Sequence, residues 1–204
     1  MNVEQLKGWI RESNERIQEK KAYLSELDQA IGDGDHGTNL ARGFAAADST
    51  IAEKEYEDCG ALLQAVSMAL ISKVGGASGP LFGTAFMKMA AAAKGKENLS
   101  KNDWGSLLQE AANGIKMRGK AEIGEKTMLD VWQPAADYMT ENGEEASWDR
   151  LKSLCEEKME TTKEMEAKKG RASYLGKRSV GHLDPGSVSS CYILTALAES
   201  GAAQ

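Results

Sequence analysis

Apolar residues recur along this chain at intervals of three and four, the period of an α-helix with one buried face. Val3, Leu6, Ile10, Ile17 and Leu24 form the first stripe. Leu62, Ala65, Val66, Ala69 and Leu70 form a second, and Leu81, Phe82, Ala85, Phe86, Met89 and Ala90 a third. Trp104, Leu107, Leu108, Ala111, Ala112 and Ile115 follow, then Val131, Trp132, Ala135, Ala136 and Met139. Leu151, Leu154, Cys155, Met159 and Thr162 make the sixth, and Val188, Cys191, Tyr192 and Thr195 the seventh. Only three prolines occur, which leaves room for long helices, and no stretch alternates with period two. Counting a short helix after Asn39, the pattern predicts an all-α chain of about eight helices. The Met and Trp residues on the stripes read as core.

No repeat, low-complexity segment or linker divides the chain, so residues 1–204 are expected to form one domain. The polar stretch Glu141 to Ser147 reads as a loop between two helices, and the charged run Glu156 to Lys169 as a solvated helix face. A net charge of -6 argues against a nucleic-acid binder, which would show a basic face. There is no apolar run of membrane-spanning length and no signal-peptide core near Met1, so no membrane partner is expected. Cys59, Cys155 and Cys191 are scattered and lack metal-ligand spacing; they read as buried, reduced thiols of a cytoplasmic protein.

Chemistry concentrates in the joints. "GGASGPLFGT" (Gly75 to Thr84) ends one helix in glycines and starts the next, with Ser78 as the expected N-cap and Pro80 in the first turn. "HLDPGSVSS" (His182 to Ser190) repeats the design with Asp184 as N-cap and Pro185 at the first helical position. "GDGDHGTNLARGF" places a third glycine-rich turn before a helix. Each alone is ordinary helix-start chemistry. Three together offer free N–H groups and positive dipole ends, which suit phosphate. "MRGKAEIGEKTMLD" and "KKGRASYLGKRSVGH" add further glycine with lysine and arginine.

The stretch "LDQAIGDGDHGTN" crowds Asp28, Asp33 and Asp35 among Gly32, Gly34 and Gly37. Singly, such an aspartate is more often a turn residue than a ligand. Three carboxylates repel one another, and a divalent cation between them offsets that cost. Magnesium takes one or two carboxylates together with substrate phosphates. A calcium loop would want an acid where Phe44 stands, and zinc would want more histidines than His36 and His182. His36 reads equally well as a site residue or an exposed loop imidazole. No GxxxxGK[ST] loop occurs, nor a strand-turn-helix to carry GxGxxG.

With "GGASGPLFGT", "RGKAEIGEKTMLDVW" and "KKGRASYLGKRSVGHLDPGS", this stretch resembles the nucleotide-binding L subunit of bacterial dihydroxyacetone kinase, from Leu27 to the C-terminus. The resemblance implies a barrel of eight antiparallel helices with the nucleotide at one end. It implies magnesium ligands at Asp28, Asp33 and Asp35, holding two ions. It implies ADP or ATP contacts at His36, Gly37, Thr38 and Asn39, at Ala77 and Ser78, and at Gly119 and Met128. Arg171, Asp184, Pro185 and Gly186 complete that set, with Met128 toward the base and Arg171 toward the phosphates. It also implies partners: a K subunit that holds dihydroxyacetone, an M subunit of the phosphotransferase system that recharges ADP, and a transcriptional activator. A chain of 204 residues leaves no room for a K domain, which favours the separate-subunit type over direct use of ATP. A kinase subunit for another small keto-sugar and a nucleotide-dependent regulatory module are the alternative readings.

Overall fold

The computed structural model describes residues 1–203, and eight α-helices carry nearly all its regular structure. They are α1 (Val3–Ile31), α2 (His36–Ala52), α3 (Cys59–Lys73), α4 (Ser78–Ala92), α5 (Lys101–Gly119), α6 (Leu129–Asn142), α7 (Trp148–Thr161) and α8 (Pro185–Ala202). Among the described residues there is no strand, only an isolated bridge between Asn2 and Asn98. No helix there is long and apolar enough to cross a membrane.

Two expectations need correction. The helix expected after Asn39 begins earlier, at His36, and is not short: it runs 17 residues. Leu40, Phe44, Ala47 and Ile51 bury one face of it, but glycine and alanine between them dilute the stripe. The charged run from Glu156 stays helical only to Thr161. Beyond it the chain leaves as a 3-10 turn (Thr162–Glu164) and a long strap containing a second 3-10 segment (Arg171–Ser179). The polar stretch before α7 contains one short 3-10 turn, Gly143–Glu145.

Each helix packs against the next in sequence, and α8 packs back on α1, closing a ring of neighbours. The ring encloses one large apolar core. Trp9 is fully buried in it, stacked on Phe86 and edge-on to Trp104, both with ring centroids 5.5 Å away. Phe44 meets Phe82 and Phe86 edge-on at 6.4 Å. Such pairs contribute roughly 1 kcal/mol each beyond the area they bury. The Trp9 indole donates to the Ile193 carbonyl and the Trp132 indole to Ser190 Oγ, so two of these buried N–H groups are satisfied. The three thiols are free and buried, and burial pushes Cys155 well up and Cys191 to about 12, which keeps both protonated and unreactive.

The connections alternate between two ends. At one end the chain is tied to itself: Leu99 N donates to Met1 O, Cys59 N to Lys96 O, and Asp58 accepts from both Ala61 N and Gly95 N. At the other, the connections α1–α2, α3–α4, α5–α6 and α7–α8 all border one cleft. Even-numbered helices therefore start at the cleft and odd-numbered ones end there.

Candidate functional site

The cleft has a volume of about 660 Å³, the scale of a small-molecule site. Its acidic side is built by the end of α1 and the turn after it. Asp28 sits in the last turn of α1, and its Oδ2 accepts from Asp35 N (2.9 Å) and His36 N (3.1 Å). That carboxylate thus caps α2 from outside its own helix. A Cβ at residue 32 would collide with the Asp28 carboxylate, and residue 34 has φ +78°, where a side chain is strained, so glycine suits both places. The result brings ligand oxygens of Asp28, Asp33 and Asp35 within 4.8 Å of one another. Three hard carboxylates with neither sulfur nor imidazole among them fit magnesium.

Four helix N-termini face these acids, one more than expected. His36, Ser78 and Pro185 open α2, α4 and α8 at the cleft, and Met128 stands just before α6. Each contributes roughly half a positive charge. The α6 start escapes a search for glycine and proline, yet "KTMLD" carries a readable signal. Asp130 Oδ2 accepts from Thr127 N (2.7 Å) and Thr127 Oγ1 accepts from Leu129 N, an arrangement close to a capping box.

His36 joins three of these helix starts. Its Nδ1 lies 3.0 Å from Ser78 Oγ and its Nε2 2.9 Å from Ser189 Oγ. The residue is only 7% exposed, which excludes a free loop imidazole, and burial holds its pKa below the usual histidine value. Ser78 is not the N-cap of α4: Ala77 holds that position and has no polar side chain to cap with, while the Ser78 hydroxyl, one residue on, meets His36. Asp184 does cap α8, accepting from Ser187 N at 2.7 Å, with Pro185 first in the helix.

Ala77, Gly119, Met128 and Gly186 border the cleft beside an apolar wall that includes Leu81, Phe82, Ile115 and Ala121. Arg171 reaches the rim on the strap, where its side chain is 66% exposed and its guanidinium pairs with Asp33 at 3.2 Å. Gly37, Thr38 and Asn39 are not among the residues that line the cleft. Gly37 is packed against the Lys21 carbonyl, Thr38 is exposed, and Asn39 accepts from Arg42. The N–H groups of Gly37 and Thr38 nevertheless belong to the first turn of α2, where no carbonyl of their own helix can accept them.

Residues 30–199 match the family model described as the DAK2 domain. The chain belongs to the DAK2-domain family. It is 44% identical over 94% of its length to the PTS-dependent dihydroxyacetone kinase, ADP-binding subunit DhaL, of Lactococcus lactis, and covers 94% of that protein. It is 43% identical over 94% of its length to the PEP-dependent dihydroxyacetone kinase 1, ADP-binding subunit DhaL, of Listeria innocua, covering 93% of it. The structure superposes with TM-score 0.74 on the dihydroxyacetone kinase from C. freundii in complex with AMP-PNP and Mg2+. That likeness spans 95% of this chain but only 33% of the kinase, at 21% identity, and concerns the fold.

In this DAK2 domain one acid has an unusual environment. Asp184 lines the cleft and is only partly buried; the desolvation it does meet pushes it up to about 6, against the bonds from Ser187 and the nearby Lys126. A folded-state pKa above the unfolded one means that ionisation opposes folding. The penalty is absent below about pH 4, grows between pH 4 and 6, and is complete above pH 6. Asp184→Asn keeps the cap acceptor and removes the charge. Its stability relative to wild type should therefore rise across that window and then stay constant, by about 1–3 kcal/mol. Urea denaturation at pH 4.5 and pH 8 measures the difference; an equal offset at both values would contradict the burial effect.

Proposed function

We propose that this chain is the nucleotide-binding subunit of a dihydroxyacetone kinase. One observation carries the reading: four positive helix ends and three carboxylates border the same cleft. Such a site holds two opposite charges, and a metal-bound polyphosphate presents both. The phosphates of ADP or ATP would lie against the starts of α2, α4 and α8, taking donors from the 36–39 turn, Ala77, Ser78 and Gly186. The base would lie on the apolar wall, between Gly119 and Met128. Arg171 on the rim would turn from Asp33 to the phosphates. Asp28, Asp33 and Asp35 would hold two magnesium ions together with phosphate oxygens. Magnesium supplies charge neutralisation to a phosphoryl group in transfer.

Two bacterial relatives are ADP-binding subunits, which supports this assignment, as does the AMP-PNP and Mg2+ complex of the C. freundii kinase. Their PTS- and PEP-dependence favours bound ADP recharged by an M-type subunit, with dihydroxyacetone held on a K-type subunit, all in the cytoplasm. No observation on this chain favours a regulatory module, and the acceptor, on another polypeptide, leaves no trace here. The test is to purify the protein, denature it, and identify the released nucleotide and metal by mass spectrometry. ADP with magnesium is expected. Recovery of neither, together with no heat of binding for added Mg-ADP, would sink the assignment.

A further inference from the structure

Lys126 is 1% exposed, and its ammonium reaches four backbone carbonyls. Nζ donates to Thr162 O (2.8 Å), Ser179 O (2.8 Å), Met165 O (3.2 Å) and His182 O. An ammonium has three protons, so four acceptors gather around it much as carbonyls gather around a monovalent cation. All four belong to the strap between α7 and α8, whereas Lys126 belongs to the turn between α5 and α6. The backbone of Lys126 has φ +61°, a left-handed conformation that costs a side-chain-bearing residue about 1 kcal/mol or more. A strained backbone and a buried charge at one residue are both explained by what the ammonium holds.

Besides the clamp, the strap is held by ion pairs of Arg171 with Asp33 and Lys169 with Glu125, and by bonds from Gly181 N to Lys163 O and from Asp184 N to Thr162 Oγ1. It carries a small apolar cluster, in which Ala167 and Ala172 meet Ile31 at the end of α1. Ser179 Oγ closes it internally by accepting from Ala167 N, and Lys168 N donates to Glu125 O beside Lys126. The strap also brings two cleft residues into place: Arg171 at the rim, and Asp184, the N-cap of α8, two residues after the last carbonyl in the clamp.

We propose that Lys126 is a positioning residue for nucleotide binding, its ammonium serving as a built-in cation that clamps the 162–182 strap and so sets Arg171 and the start of α8 at the cleft. The role rests on the nucleotide reading of that cleft. The clamp does not, because it is made of protein groups alone, one ammonium and four backbone carbonyls. In wild-type protein free of nucleotide, amides across 163–182 should therefore exchange hydrogen slowly; exchange at open-loop rates would overturn the proposal without any variant.

Lys126→Ala removes the ammonium and leaves a space of its own shape. Exchange across the strap and the dissociation constant for Mg-ADP should each rise at least about tenfold, since four carbonyls lose their donor. Adding n-propylammonium, which replaces the missing atoms, should restore both, and tetramethylammonium, which has no N–H, should restore neither. Lys126→Met, which fills the space without charge, should show the losses and no rescue. Unchanged strap exchange in both variants, a loosened strap with unchanged affinity, or no rescue by n-propylammonium would each overturn the positioning role. Wild-type protein that binds no Mg-ADP would instead overturn the nucleotide reading, with the clamp still visible in the exchange data.

Discussion

Asp33→Asn and Asp35→Asn should each weaken magnesium-dependent ADP binding by roughly 100-fold or more while leaving the helices intact. Changes one shell outside a metal site already cost 10–100-fold, and these side chains would be ligands. Asparagine preserves their shape. Neither carboxylate caps α2: Asp35 stands at the cap position but makes no side-chain cap bond, and Asp33 loses only an exposed pair to Arg171. Exposed pairs are worth little. Relief of repulsion between acids whose oxygens lie within 4.8 Å should offset it, so thermal stability without metal is expected to hold or rise. Asp28→Asn should behave differently. Its Oδ2 takes the N–H groups of both Asp35 and His36, and it is the most enclosed of the three. That variant should lose binding and also about 1 kcal/mol of stability, the cost of a weakened charge-assisted cap. Isothermal calorimetry with Mg-ADP, paired with thermal melts in chelator, separates the effects. Unchanged affinity in all three variants would remove the metal assignment.

How far such a site can be read in advance depends on what kind of signal each part leaves. The helices are legible because burial of Trp9, Phe86, Trp104 and Trp132 imposes a period that few prolines break. The start of α2 is not, because its first turn is chosen for close approach and free N–H groups rather than for burial. The aspartate cluster stands out since its glycines have a local cause, the crowding at residue 32 and the left-handed backbone at residue 34. Ser78 is misread as a cap because its true partner, His36, is 42 residues away, and nothing in "GGASGP" announces that. Lys126 is invisible for the same reason. One lysine among 25 basic residues becomes distinctive only when a strap many residues later folds its carbonyls around it. Local chemistry is written locally; contacts across the ring are not.

The largest effect expected is an absence of turnover. The purified chain should bind Mg-ATP yet form no dihydroxyacetone phosphate when supplied with ATP, magnesium and dihydroxyacetone. Fast transfer needs the acceptor hydroxyl held in line with the γ-phosphate, close to attack distance. Capture of a ketone through a covalent bond needs a free nucleophile, and neither histidine nor the enclosed lysine offers one at this cleft. Both nitrogens of His36 lie against serine hydroxyls, and burial holds its pKa down. His182 is exposed and does not border the cleft. Lys126, the lysine best enclosed there, has its ammonium committed to four carbonyls and is unavailable for a Schiff base. The acid cluster would repel an alkoxide unless metal and phosphate were already in place. Adding a K-type subunit loaded with dihydroxyacetone should start transfer from bound nucleotide. Adding an M-type protein carrying a phosphohistidine should then make turnover continuous, with radiolabelled ADP remaining on the chain through many cycles. An enzyme-coupled assay of product, run with and without each partner, follows all three states. Sustained product from the chain alone, with contaminating kinases excluded by loss of activity in Asp35→Asn, would place the acceptor site within these residues and refute the division of labour between subunits.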